Sequence, residues 1–326
     1  MRRREFIGIC TGLVAGWPLA ALAEETAIPI IGYLSSKGPA AETNIVAAVR
    51  AGLAQNDFIE GRNIAIEFRW SDGNYERLPA LAAELVDRNV RVLLTSGLPA
   101  TFAAQKATQR IPIVFRLAVD PVAFGLVQNL SRPGGNLTGV TMLFDPLTPK
   151  KLQLLHELIP GATSVGFLIN PRNPNAASHR QYAEAATQSM GLRVTMLSAG
   201  DPAELESALS AARQQGIEMI LVGDDPFFDV SSRQITRGAA GHRIPTMYYV
   251  RDFTAAGGLI SYGPTFSEMA QQAGEYAGRI LKGADPAELP VRQPTKFELV
   301  INLKAATALG LAVPPSIINR ADEVIE

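Results

Sequence analysis

The chain has 326 residues, 47% of them hydrophobic and 19% charged, enough for two globular cores of ordinary size. Its formal net charge of −1, with short charge runs of mixed sign, leaves no basic footprint for nucleic acid. One cysteine, Cys10, rules out a disulfide framework.

The first 23 residues read as a leader rather than as fold. MRRREF is basic, IGICTGLVAGWPLAALA is apolar, and Ala21-Leu22-Ala23 offers a small-x-small cleavage site, the layout of a secretory signal. The apolar run is short for a membrane span and is broken by Pro18. Arg3-Arg4 also resembles a twin-arginine signal, with Arg2 where Ser or Thr is usual, so either export route fits. Cleavage after Ala23 would take the formal charge to −3 and remove Cys10. The mature chain would then have no thiol for a nucleophile or a metal site.

Beyond the leader, apolar runs of strand length alternate with helical patterns. Strands are predicted at 28–35, 63–70, 90–96, 111–118 and 136–143, and helices at 44–56, 75–88, 99–109 and 123–130. FDPLTP, with two prolines, marks a join near 142–147. A second series follows: helices at 147–159, 175–191 and 202–216, and strands at 164–170, 193–199, 218–224, 244–250 and 258–263. Then come a helix at 265–283, a proline-rich run, a strand at 296–303 and a polar tail. Near-continuous Val/Ile/Leu strands alternating with amphipathic helices predict parallel sheets covered on both faces. The expected fold class is α/β, with two parallel-sheet lobes of about five strands each facing a cleft.

In such sheets ligands meet the carboxyl ends of the strands. Those ends carry Ser35 and Ser36, then Thr95, Ser96 and Gly97, then Asp120, and Thr141 within the fifth strand. The second series gives Asn170, Asp224, Asp225 and Tyr262. Taken singly, such residues are ordinary helix caps and turn starters; as a set they point into one cleft. Hydroxyls and free N–H groups at helix starts suit a carboxylate, and aspartates suit an ammonium. A zwitterion such as an amino acid satisfies both. Either Asp224 or Asp225 could face the cleft.

Other chemistries find no support. His156, His179 and His242 sit on predicted helices or before a strand, away from the strand ends and without metal-ligand spacing. Gly-x-Ser-x-Gly and a phosphate loop are both missing from the sequence. No metal, cofactor or catalytic set is expected.

IPIVF followed by DPVAFGLVQNLSRPGGNLTGVT (111–141), ILVGDDPFF (220–228), AAGGLISYGP (255–264) and the ending from 280 to 326 resemble the ABC-transporter substrate-binding proteins of the family with tryptophan- and tyrosine-binding members. The resemblance covers essentially all of the mature chain. It implies a periplasmic-binding-protein type I fold: two Rossmann-like lobes joined by a hinge of three crossovers. Residues 24–141 with about 265–295 would form the first lobe, and 142–264 with about 296–326 the second. It implies a monomeric periplasmic receptor that captures a small molecule, an amino acid or related carboxylate, for an ABC permease and its ATPase. A sensor-kinase subunit could share this fold, and an exported hydrolase would need a nucleophile–base pair that the histidines do not supply. Leu98 and Val119 stand where the family often has hydroxyls, which makes the cleft more apolar.

Overall fold

A computed structural model describes residues 28–326. The leader and Cys10 lie outside the described residues. The first series runs β1 (Ile30–Ser35), α1 (Thr43–Ala54), β2 (Ala65–Trp70), α2 (Leu78–Asp87), β3 (Val92–Ser96), α3 (Leu98–Ala107), β4 (Ile113–Leu117) and β5 (Leu137–Thr141). These strands form one parallel sheet in the order β2-β1-β3-β4-β5. β3, β4 and β5 are buried along their whole length, as strands covered on both faces should be.

The second series runs α4 (Thr148–Leu158), β6 (Ser164–Ile169), α5 (Ala176–Ser189), β7 (Arg193–Ser198), α6 (Pro202–Gln214) and β8 (Met219–Val222). It continues with α7 (Pro226–Val230), α8 (Ser232–Gly241), β9 (Thr246–Tyr248), α9 (Arg251–Ala255), β10 (Ile260–Pro264) and α10 (Phe266–Leu281). β11 (Phe297–Asn302), α11 (Leu303–Leu309), α12 (Pro315–Ile318) and β12 (Glu323–Ile325) end the chain. The second sheet has seven strands, ordered β12-β11-β10-β9-β8-β6-β7.

The chain crosses between the sheets three times. It leaves β5 for α4, leaves β10 for α10, which packs on α1 and on β3, β4 and β5, and returns from Arg292, bonded to Gly139 and Thr141 of β5, to β11. The two-lobed α/β architecture is the one expected, but the second sheet has seven strands instead of about five, and the short helices α7, α8 and α9 lie where no helix was expected; three further differences are local. Residues 123–130 form turns instead of a helix, because the N–H groups of Leu126 and Val127 both bond back to Pro121 O and Gly125 takes φ +67°. The second sheet is not wholly parallel, since β10 and β11 are antiparallel. The polar tail is ordered: Asn302 caps α11 through Ala305 N–H, Gly310 closes it at φ +73°, and β12 pairs with β11.

Candidate functional site

Both sheets repeat one topology. β2-β1-β3 and β7-β6-β8 each place the first strand of their series between the second and the third. The strand order reverses between β1 and β3 and between β6 and β8, where the loops leave in opposite directions and open a crevice. Those four strand ends carry Ser35-Ser36-Lys37, Ser96-Gly97, Asn170 and Asp224-Asp225, and they frame an interlobe cavity. Its wall is mostly apolar, with Leu98, Leu117, Val119, Met142, Phe144 and Phe266 among the lining residues.

The first-lobe wall is built on a buried cation pair. Arg116 projects from β4 and donates through Nη2 to Ser96 Oγ at 2.6 Å and to Glu42 Oε1 at 2.7 Å. Lys37 lies 3.6 Å from the same Glu42 oxygen, and its Nζ sits 4.4 Å from the Phe266 ring centre. Glu42 is fully buried and also accepts from Tyr33 OH and Ser96 Oγ. Burial opposes its charge, but Arg116 and Lys37 with these bonds hold its carboxyl below the usual range. The Arg116 guanidinium also lies against Tyr33 OH, and the side chain lines the cavity. The sequence reading passed over Lys37, Glu42 and Arg116; an arginine inside the apolar run IPIVFRLA was the available signal.

Gly97 turns the chain from β3 into α3 at φ +92°, a conformation that favours glycine. A Cβ there would lie 2.9 Å from Pro226 Cγ of the other lobe and 3.0 Å from Ser36 Oγ. Ser36 Oγ accepts from Ala100 N–H, Ser35 Oγ from Lys37 N–H, and Thr95 Oγ1 bonds Thr101 Oγ1. Thr141 donates to Val119 O. Ser35, Ser36, Thr95 and Thr141 therefore brace the loops behind the cavity, whereas Ser96 and Gly97 line it.

In the second lobe the two aspartates have separate partners. Asp225 caps α7 through the N–H groups of Phe227 and Phe228 and accepts from Asn170 Nδ2, Asn173 Nδ2 and Tyr75 OH. Burial pushes its carboxyl up to about 6, against the pull of those donors. Asp224 takes His179 Nε2 at 3.0 Å and Asn175 Nδ2 at 3.4 Å. Both aspartates line the cavity, with Asn175, whose buried Oδ1 has no partner among the described residues. Asp225 is saturated by protein donors, so Asp224 is the carboxylate with acceptor capacity left.

The structure brings neither Asp120 nor Tyr262 to this cavity. Asp120 is exposed and caps its own turn through Val122 N–H. Tyr262 stacks on Phe297 across β10 and β11. His179, expected away from the strand ends, is in fact buried against one. Its Nε2 faces Asp224 and, at 3.5 Å, Asp145 of the turn before α4. These three donor atoms lie within 4.8 Å of one another, but the imidazole bonds Asp224 directly and buried Lys151 adds a positive charge nearby, so we assign no metal there.

The lobes are shut on one another. Tyr75 OH of the first lobe lies 2.9 Å from both oxygens of Asp225, and Lys37 Nζ lies 2.6 Å from Asp229 Oδ2.

Residues 33–325 match the family model described as ABC transporter substrate binding protein. A tyrosine-binding protein of Clostridioides difficile is 25% identical over 260 residues, 79% of this chain and 74% of that protein. A conserved domain protein of Vibrio cholerae superposes with TM-score 0.86 and 26% identity, over 91% of this chain and 99% of that one. An ABC domain from Streptococcus pneumonia in complex with L-Trp gives TM-score 0.84 and 24% identity over the same shares. With a family match over almost the whole described chain, two lobes of one repeated topology and a cavity at their paired switch points, the chain belongs to the ABC transporter substrate-binding protein family, whose members bind a solute and are not a class of enzymes.

Proposed function

We propose that this protein is an exported receptor that closes on an α-amino acid with an apolar side chain and delivers it to an ABC permease driven by an ATPase. The observation that carries the reading is the polarity of the cavity. Arg116 and Ser96 stand on the first-lobe wall and Asp224 on the second, with an apolar wall between them. A carboxylate set against the Arg116 guanidinium and an ammonium set against Asp224 would each gain a charge-assisted bond. Phe144, Met142, Leu117 and Phe266 would take the side chain. The names of the relatives, one a tyrosine-binding protein and one solved with L-Trp, support the same class. In this reading the receptor works as a monomer outside the cytoplasm, brought there by the leader, and performs no chemistry.

The test is a thermal-shift screen of residues 24–326 against the standard L-amino acids, their decarboxylated amines and their deaminated acids. A ligand that binds only the folded form stabilises it by mass action, by about 2.7 kcal/mol at a hundred times its Kd. The expected result is a rise in Tm with intact amino acids and none with either truncated series. Asp224→Asn should weaken binding by about 10- to 100-fold, the loss of one charged hydrogen bond. A shift with deaminated acids alone would overturn the zwitterion reading.

A further inference from the structure

His179 is the buried titratable group that the reading above leaves unused. It sits on α5, 3% exposed, and Nε2 is the ring nitrogen turned to its polar neighbours. From β8 it meets Asp224 at 3.0 Å, from the crossover turn Asp145 at 3.5 Å, and from its own helix Asn175 Nδ2 at 3.2 Å. Ser178, its neighbour on α5, donates to Asp145. From β6 the Phe167 ring packs with its centre 6.1 Å away, and from α4 the Lys151 ammonium contributes a positive charge. These groups are largely buried, so their charges act strongly on one another. Two carboxylates face one lysine and one imidazole. One more proton would balance them: Asp145, whose carboxyl burial pushes up, can hold it, and so can His179, whose Nε2 lies in direct hydrogen-bond contact with Asp224.

A bound amino acid would bring a further positive charge to that same carboxylate. Asp224 lines the cavity on one side and holds His179 on the other. We propose that a proton on His179 and the ammonium group of a bound amino acid compete for Asp224, so that ligand capture is coupled to proton release from a side chain that does not line the cavity. The proposal rests on the amino-acid reading. Linkage fixes its sign. In the free protein burial opposes the imidazolium, but Asp224 and Asp145 outweigh it and hold the group above its ordinary value. An ammonium at Asp224 lowers that value, because two cations then share one anion. By reciprocity the proton weakens the ligand as much as the ligand weakens the proton. Affinity therefore rises with pH between the bound-state and free-state values, by up to about tenfold per unit, and is flat above both. His179 is thus a positioning residue whose charge tunes Asp224.

The experiment has a ligand-free arm and a ligand arm. Histidine NMR of the free protein follows His179 from pH 5 to 9 in the wild type and in Asp224→Asn. The expected result is titration above the ordinary histidine value in the wild type and a fall in the variant; the same titration in both would overturn the coupling. Calorimetry then uses the L-amino acid giving the largest Tm rise in the screen, in phosphate and in Tris between pH 6 and 8. The expected result is a buffer-dependent heat corresponding to proton release, lost in His179→Gln together with the rise of affinity with pH. Binding with no proton exchange, or with proton uptake, would overturn the proposal while leaving the receptor reading standing. If no amino acid shifts the Tm, the ammonium is gone from the site and the proposal falls with the amino-acid reading.

Discussion

Arg116 and Glu42 lie 74 positions apart and meet in the interior through one guanidinium nitrogen. Removing one partner of such a pair leaves the other buried and uncompensated, at a cost of about 3–5 kcal/mol. Arg116→Met should therefore destabilise the fold by about 3 kcal/mol in urea unfolding, and adding Glu42→Gln should recover part of the loss, because Gln needs no counter-charge. A double variant as unstable as the single one would show that packing, not charge, makes the difference. Asp225 carries a pH signature of its own. Its carboxyl is pushed to about 6 from an ordinary 3.8, so the folded chain holds a proton that the unfolded chain has released. Its contribution to stability is then largest below pH 3.8, falls as pH rises towards 6, and stays flat above. The stability of Asp225→Asn relative to wild type should accordingly rise by about 3 kcal/mol from pH 3.5 to pH 7, two to three pH units of differential protonation. A pH-independent difference would count against this account. Sequence reading found both second-lobe aspartates but could not divide their labour. A capping aspartate and a free one look alike until Asn170, Asn173 and Tyr75 converge on one of them.

At the scale of elements, the tightest packing joins helices from opposite ends of the chain. α1 and α10 approach so closely that a Cβ on Gly52 would lie 1.9 Å from Gln271 O, and one on Gly274 would lie 2.2 Å from Val49 O. Both obstacles are backbone, which cannot rotate aside. Gly52→Ala or Gly274→Ala should therefore cost about 1–3 kcal/mol or more by forcing the helices apart, although alanine has the better helix propensity. Gly161→Ala is the control, since a Cβ there meets nothing within 4 Å. Urea unfolding of the three variants would separate them, and equal stabilities would refute the close approach. The strands and helices themselves were legible because their periodicity is local. β4 and β5 show as apolar runs, α5 and α6 as helical spacing. In 123–130 local pattern and long-range partner disagree, and the two helices α7 and α8 between 226 and 241 had no element assigned to them from sequence. AFGLVQNL has a helix's apolar content, but Gly125 and the Pro121 carbonyl wind it into turns. The tail looked polar and short, yet β12 adds to the edge of β11.

At the scale of the molecule, closure is held by side chains that belong to no single lobe. Tyr75 OH reaches Asp225, and Lys37 spans from Glu42 in its own lobe to Asp229 in the other. Phe266, Lys37 and Asp229 line both the inner cavity and a second, outer pocket, so the ion pair stands where a solute would pass. Sequence spacing could not show any of this, because Tyr75 and Asp225 are 150 positions apart and meet only when the hinge shuts. If these contacts hold the shut form, weakening them should act on ligand release before it acts on folding. Tyr75→Phe removes a hydrogen bond to a carboxylate, of about 1.5–3 kcal/mol in a buried setting, while the ring stays. Opening would let water replace that bond, so the lower end applies: the closed form loses about tenfold in population relative to the open one. Affinity for the captured solute should drop by about that factor through faster dissociation, with the association rate nearly unchanged and the Tm of the free protein little altered. Stopped-flow dissociation beside small-angle scattering of the liganded variant would register both effects. An unchanged off-rate would mean that the solute alone holds the lobes together and that Tyr75 merely follows them.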